Sequence, residues 1–430
     1  MSQLTENPTT SLKVSKMAEN LIGSEIIKLA GEIKQKISQG EEIFNYTIGD
    51  FNPELFPIPT ELKELIIQAY QDNHTNYPAA NGIEELRNAV SKLIADRLEL
   101  NYSPNEVLIA GGSRPLIYAA YQAIVDPGDT VLFPVPSWNN NHYSHLSHAK
   151  AVMIETSPEN NFMPTTEELA VYIPQAQFLA LCSPLNPTGT VFQKEQLLSI
   201  LDLVEKENEI RQLKGEKPLY VLYDQIYWML TLGDTEHYNP VSLKPSLRNY
   251  VIFIDGMSKA FAATGVRVGW AFGPEKLIGK MKSILGHVGA WAPKAEQVAV
   301  ANYLNDEKAV SSYLTQIKSE VHDRLDRFYK GFQALKSKGY RVDAIPPQAA
   351  IYLTVKLDLI GQTTAEGKVL SKTEDVTDFV LNKAGLAIVP FYAFGADKGS
   401  VWYRLSVGTA KVADIETMFQ RLAAHLSELS

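Results

Sequence analysis

From about Glu106 onward the chain alternates between short runs of unbroken apolar residues and stretches whose apolar positions recur at helical spacing. The runs are EVLIAG, DTVLFPVP, AKAVMIE, FLALCS, LYVLYD, YVIFIDG and VRVGWAFG, with helical stretches such as RPLIYAAYQAIV and Lys194 to Glu209 between them. A strand without polar alternation is buried on both faces, and a helix between successive strands lets them run in the same direction. The pattern predicts an α/β fold over residues 60–310, a mostly parallel central sheet between helices. Helices are expected to lead into it at Thr60 to Tyr70 and Ile83 to Leu98.

On either side the pattern differs. From Met17 to about Gln39, Leu21, Ile22, Ile26, Ile27, Leu29, Ala30, Ile33 and Ile37 keep helical spacing up to a stop at Gly40. FNYTIGDFNPELFPIP then reads as a short strand running into a loop, because its glycine, prolines and asparagines interrupt regular structure. From about Ser311, a long polar helix, GYRVDAIPPQAAIYLTVKLD, a helix near Asp375 to Ala384, and AIVPFYAFG before Arg404 predict a smaller α+β domain, 311–430. Segment 16–59 is expected to join that domain, and residues 1–15, rich in Ser, Thr and Asn, to form a mobile arm.

Ligands of a parallel α/β sheet bind beyond the carboxyl ends of its strands, so the residues just past each apolar run are the candidates. Past EVLIAG, Gly112-Ser113-Arg114-Pro115 opens a helix and offers free N–H groups and a positive dipole end to a phosphate. Past DTVLFPVP stands Trp138, placed to stack on a flat ring or simply to close the core. Past FLALCS, the bend SPLNPTG holds Asn186 between two prolines. Past LYVLY come Asp224 and Tyr227; a carboxylate ending an apolar strand must be paired or hydrogen-bonded, and capping the next helix is the ordinary alternative. Past YVIFI lies DGMSKAFAATGVRVGW, with Lys259 and, eight positions on, Arg267. A lysine amine can bond a carbonyl carbon once burial and a nearby cation hold its pKa down, although for a bare Ser-Lys dipeptide a surface lysine is the ordinary explanation. Arg267 suits either that cation or a phosphate ligand.

Composition excludes more than it selects. At 430 residues with 45% hydrophobic content the chain can bury a large core in two domains. Its formal net charge of -9 is dispersed, which leaves no basic footprint for nucleic acid or an anionic membrane. The lone cysteine, Cys182, excludes an internal disulfide and a cysteine metal cluster and favours a reducing cytoplasm. No signal-peptide pattern or membrane-length apolar run is found, and no metal is expected.

Lysine, aspartate, tyrosine, asparagine, a stacking aromatic and a phosphate cradle at the strand ends of one sheet are what a pyridine aldehyde phosphate needs. At SPLNPTG, YDQIY and SKAFAATGVRVGW, and from about Leu21 to the C-terminus, the chain resembles the fold type I pyridoxal-phosphate enzymes, specifically the aspartate aminotransferase-like class I/II aminotransferases. The resemblance implies pyridoxal 5'-phosphate as cofactor and a ping-pong exchange between an L-amino acid and a 2-oxo acid through pyridoxamine phosphate. It makes Lys259 the lysine that bonds the cofactor and then moves the α-proton, Asp224 the partner of the ring nitrogen, and Tyr227 with Asn186 the pair on the phenolic oxygen. Trp138 corresponds to the residue stacked on the ring. Ser113, Arg114 and Arg267 correspond to phosphate contacts, and Tyr77 to one that reaches over from the other subunit, which implies a homodimer with shared active sites.

Arg404, in VWYRLSVGTA, corresponds to the arginine that binds the substrate α-carboxylate, Gly49 to a substrate-facing glycine, and Pro136 and Pro187 to positions often preceded by cis bonds. Gly256 departs from the pattern, since many relatives carry serine or threonine there as a further phosphate donor. Aspartate, glutamate or aromatic amino acids with 2-oxoglutarate are the expected substrates, and Lys294 beside Trp291 is a candidate for a distal carboxylate. A β/γ-lyase or a cyclopropane-forming synthase is the alternative on the same scaffold. A cofactor-sensing regulator would need a helix-turn-helix segment that the N-terminal stretch lacks.

Overall fold

The computed structural model describes residues 13–21, 23 and 25–430. Residues 1–12 of the expected arm and Ile22 of the expected first helix lie outside these. The strands are β1 (Phe44–Asn45), β2 (Val107–Ala110), β3 (Thr130–Val135), β4 (Lys150–Glu155), β5 (Ala176–Cys182), β6 (Tyr220–Asp224), β7 (Val251–Gly256), β8 (Gly269–Phe272), β9 (Val342–Ala344), β10 (Tyr352–Leu357), β11 (Leu386–Ala387), β12 (Val389–Pro390) and β13 (Trp402–Ser406).

The seven apolar runs become one seven-stranded sheet in the order β2-β8-β7-β6-β5-β3-β4. Only β8 runs against its neighbours β2 and β7; the other pairs are parallel. Both faces are covered along the inner strands, as unbroken apolar strands require, whereas the edge strand β4 buries only Ile154. Val251 and Phe253 join the core that contains Leu86, Leu197 and Val300 from the helices Glu84–Leu98, Lys194–Lys214 and Lys294–Asn305. Their alternates Ile252 and Ile254 join the opposite core, with Leu116 and Met281 from the helices Ser113–Ile124 and Glu275–Val288.

A second, antiparallel sheet has the order β12-β13-β10-β9, and β1 pairs in parallel with β11 beside it. The helix Glu307–Ser337 starts four residues before the expected Ser311, because the Asp306 side chain caps it by accepting from the Ala309 N–H (3.0 Å). Its Ile317, Val321, Leu325 and Phe328 pack with Leu353 and Val355 of β10. The helix expected from Met17 to Gln39 is instead two, Lys16–Glu19 and Glu25–Ser38. The break falls at Asn20 and Gly23, which disfavour continuous helix strongly enough to override the apolar spacing.

The two sheets are stitched together where the large one ends. Ala349 N–H donates to Gly189 O (2.9 Å), Ala350 N–H to Leu230 O (3.0 Å), and Thr354 Oγ1 to Thr188 O (2.8 Å). These bonds hold β10 and β13 over the carboxyl ends of β5 and β6. Among the described residues no helix is long and apolar enough to cross a membrane, and no cluster of three His, Cys, Asp or Glu is placed to hold a metal ion.

Candidate active site

Three neighbouring strands end side by side, and each delivers one chemical group. β7 stops at Gly256, and the single helical turn Met257–Ala260 carries Lys259. β6 stops at Asp224, whose carboxylate accepts from the Ile226 N–H (3.1 Å), a local turn that brings Tyr227 in behind it. β5 runs into the bend Ser183 to Gly189, where cis bonds precede Pro184 and Pro187; a third cis bond precedes Pro136 after β3. Around these ends lies a cavity of about 550 Å³ lined by Gly49, Ser113, Arg114, Trp138, Asn186, Asp224, Tyr227, Lys259, Arg267 and Arg404. The candidate residues named from the sequence are therefore at one cavity, except Tyr77 and Lys294.

The charges there are arranged without their usual partners. Lys259 Nζ donates to the Gly49 carbonyl (2.7 Å) and makes no ion pair with any described carboxylate. Although the cavity reaches the amine, the surrounding protein removes most of its water and holds its pKa down to about 8; Asp50 offsets part of this, while Arg404, Arg114 and Arg267 add to it. Burial pushes the Asp224 carboxyl up to about 6, against the opposing pull of the Ile226 N–H and the Lys259 ammonium. Next to it, Asp255 accepts from Gly256 N–H (2.7 Å) and Trp228 Nε1 (2.7 Å), and burial pushes it up to about 7.

Arg404 is 2% exposed. Its Nη1 donates to Asn186 Oδ1 (2.9 Å) and its Nη2 to Thr47 O (2.7 Å), while Nε has no partner and no described carboxylate pairs with it. A buried, unpaired guanidinium is costly, and an anion entering the cavity would relieve that cost. Gly49 stands where a Cβ would lie 2.8 Å from Tyr352 Oη and 3.3 Å from Arg404 Nη1, so a side chain there would intrude on both.

At the other end of the cavity the helix Ser113–Ile124 begins after Gly112, whose φ of +96° favours glycine. A Cβ at Gly269 would lie 2.6 Å from the Gly112 carbonyl carbon, so this turn packs directly on β8. Arg267 is held in place by donating Nη1 to Thr264 O (2.8 Å) and Nη2 to Gly111 O (2.7 Å), and its charge meets no described carboxylate. The bare Gly256 has a packing reason: a Cβ would lie 2.8 Å from Gly269 Cα across the β7–β8 pair. Ser258, two residues on, lines the cavity with a hydroxyl. The Trp138 ring lies 5.5 Å from the Arg114 guanidinium and packs against Phe394 (6.1 Å).

Tyr77 is 80% exposed on the outer surface, its ring edge-on to Trp291 at 5.2 Å. Lys294 is not at the cavity either; its Nζ donates to Asn76 Oδ1 (2.7 Å). Polar lining residues that the sequence did not mark include Thr47, Asp50, Asn140, Tyr143, Ser258, Thr264 and Tyr352. Asp50 lies inside the FNYTIGDFNPELFPIP segment, and its carboxylate accepts from Thr264 Oγ1 (3.0 Å). Tyr352 sits in an apolar run that reads as ordinary core.

Comparison with known proteins identifies the family and the fold. Residues 42–422 match the family described as aminotransferase class I and II. An aspartate aminotransferase of Rhizobium meliloti (strain 1021) is 27% identical over 410 residues, covering 95% of this chain and 94% of that protein. A probable aspartate/prephenate aminotransferase of Rhizobium leguminosarum bv. phaseoli is 27% identical over 391 residues, covering 90% and 92%. The crystal structure of the Rhizobium meliloti aspartate aminotransferase superposes with a TM-score of 0.88 at 25% identity, covering 97% of this chain and 100% of that one.

Proposed function

The chain belongs to the class I and II aminotransferases, and we propose that within that family it transfers the amino group of aspartate, glutamate or an aromatic amino acid to 2-oxoglutarate. It is a pyridoxal-phosphate-dependent transaminase. The observation that carries the reading is the convergence of a buried amine without an acid, a buried carboxyl without a base and a buried guanidinium without an anion in one cavity. The names of the two relatives favour an acidic donor.

The residues fit the cofactor at each end. A carboxyl held near 6 with a single protein donor suits a protonated ring nitrogen. A helix start packed against β8, beside an arginine fixed by two carbonyls, suits a phosphate. When bound, pyridoxal phosphate supplies an aldehyde for an amine and a ring that accepts the electron pair of the substrate α-carbon.

The protein groups do the rest. With a pKa of about 8, a fraction of Lys259 is unprotonated at neutral pH, so its Nζ would be the amine that holds the cofactor aldehyde and, when free of it, the base that takes and returns the substrate α-proton. Asp224 would hold the proton on the ring nitrogen, Tyr227 and Asn186 would bind the phenolic oxygen, and Trp138 would pack on the ring. Ser113, Arg114 and Arg267 would hold the phosphate. Arg404, steadied by Asn186 and Thr47, presents its guanidinium to the substrate α-carboxylate, and Gly49 leaves the room beside it.

The same reading makes the active form a homodimer, in which Tyr77 completes the phosphate site of the partner; its exposure and distance from its own cavity support this. Residues 60–310 would form the large domain and 16–59 with 311–430 the small one, since they build separate sheets. A reducing cytoplasm suits the single cysteine. The test is to add single amino acids to the loaded protein without oxo acid and follow the cofactor absorbance. Conversion by aspartate or glutamate, reversed by 2-oxoglutarate, is expected. Failure of all acidic and aromatic amino acids would refute the substrate assignment.

A further inference from the structure

Tyr352 touches three of the groups placed at the reaction centre, yet no motif marked it. It opens β10 and is 1% exposed. Its hydroxyl lies 2.5 Å from that of Tyr227, and the two rings meet edge to face at 5.4 Å. The Arg404 guanidinium lies 4.7 Å from its ring centre. Its oxygen also occupies the space that a Cβ at Gly49 would need. The main chain beneath is pinned on both sides, by pairing opposite Ser406 and by the Ala350 N–H bond to Leu230 O (3.0 Å). The position of the hydroxyl is thus set by the fold.

Two phenols carry two hydrogens, and one of these is spent between them. If Tyr227 donated to Tyr352, it would have nothing left to donate to the cofactor. If Tyr352 donates, the Tyr227 hydrogen stays available. Geometry favours one direction: burial raises both phenols, but the Arg404 guanidinium lies 4.7 Å from the Tyr352 ring centre, and a cation so close favours the more acidic phenol there. The stronger acid is the better donor, and a hydroxyl that accepts one hydrogen bond donates its own more strongly.

We propose that Tyr352 is a positioning residue whose hydroxyl donates to Tyr227 Oη and thereby commits the Tyr227 hydrogen to the phenolic oxygen of the cofactor. This rests on the placement of Tyr227 at that oxygen. Removing the donation weakens the stabilisation of negative charge on the oxygen, so the proton on the nitrogen joining Lys259 to the cofactor is held to higher pH.

The experiment is a pH titration of the cofactor absorbance band in the loaded enzyme. Tyr352→Phe keeps the ring beside Arg404 and against Tyr227, and should raise the midpoint by roughly 0.4 to 1 unit. Tyr352→3-fluorotyrosine, a more acidic phenol of nearly the same volume, should lower it. Neither shift should survive in a Tyr227→Phe background, as a double-mutant cycle requires of residues that act through each other. An unmoved or oppositely moved midpoint in either variant overturns the proposal. So does an equal shift in the Tyr227→Phe background, because Tyr352 would then act without Tyr227. A wild-type protein with no titrating band would instead overturn the cofactor assignment on which the proposal stands.

Discussion

Lys259 should make the cofactor-free protein less stable than it need be, and the size of the effect follows from its surroundings. Its pKa falls from an ordinary 10.5 to about 8, chiefly through burial. At about 1.4 kcal/mol per unit, the charged amine costs the folded state ~3 kcal/mol at neutral pH. Lys259→Met removes that charge at similar length but leaves the Gly49 carbonyl without its donor, a loss of about 1 kcal/mol. The net gain of ~2 kcal/mol raises the melting temperature of a 430-residue chain by ~2 °C.

The pH dependence gives the sharper test. Between pH 8 and 10.5 the unfolded chain still binds the Lys259 proton and the folded one does not, so wild-type stability rises with pH across that window. The advantage of Lys259→Met should therefore be largest at pH 7 and shrink towards pH 10.5. Calorimetry of both proteins stripped of cofactor measures it. A variant no more stable than wild type at pH 7, or an advantage that stays constant from pH 7 to 10.5, would refute the account of how this amine is held down.

Arg404→Lys should lower kcat/KM for amino and oxo acids by about 10- to 100-fold, because a single ammonium replaces a two-pronged donor; steady-state kinetics at saturating cofactor reads this. Asp224→Asn should retain cofactor, visible in its absorbance, while turnover falls on the order of 10²-fold or more through loss of the charge opposite the ring nitrogen; turnover near the wild-type rate would contradict that role. Asp255→Asn should act on stability. The folded-state pKa of Asp255, about 7, lies above its ordinary 3.8, so the folded protein keeps a proton that the unfolded chain loses and wild-type stability falls as pH rises between these values. Urea titrations of the stripped variant from pH 4 to 7 should show a shallower fall.

Much of the fold and of the candidate site was legible because it is written locally. Each apolar run became a strand of the large sheet; inner runs such as YVIFIDG are buried on both faces, as their unbroken hydrophobicity requires, while AKAVMIE forms the largely exposed edge. Lys259, Asp224 and Asn186 were found by one rule, that strand ends of a parallel sheet hold ligands. The N-terminal helix shows the limit of that local reading: its apolar spacing continues through Asn20 and Gly23, where the structure breaks it in two.

What the sequence determined by itself was the kind of chemistry, because residue types just past each strand constrain it. Which atoms meet was decided only by tertiary structure. Lys259 bonds the carbonyl of a residue 210 positions away, Arg404 one 357 positions away, and Tyr352 meets Tyr227 across 125. Periodicity carries no information over such separations; the contacts arise when one sheet closes over the ends of another. The glycines at Gly49 and Gly256 belong to the same category: the sequence shows that a side chain is missing, and only the packing of Tyr352, Arg404 and Gly269 shows why none fits.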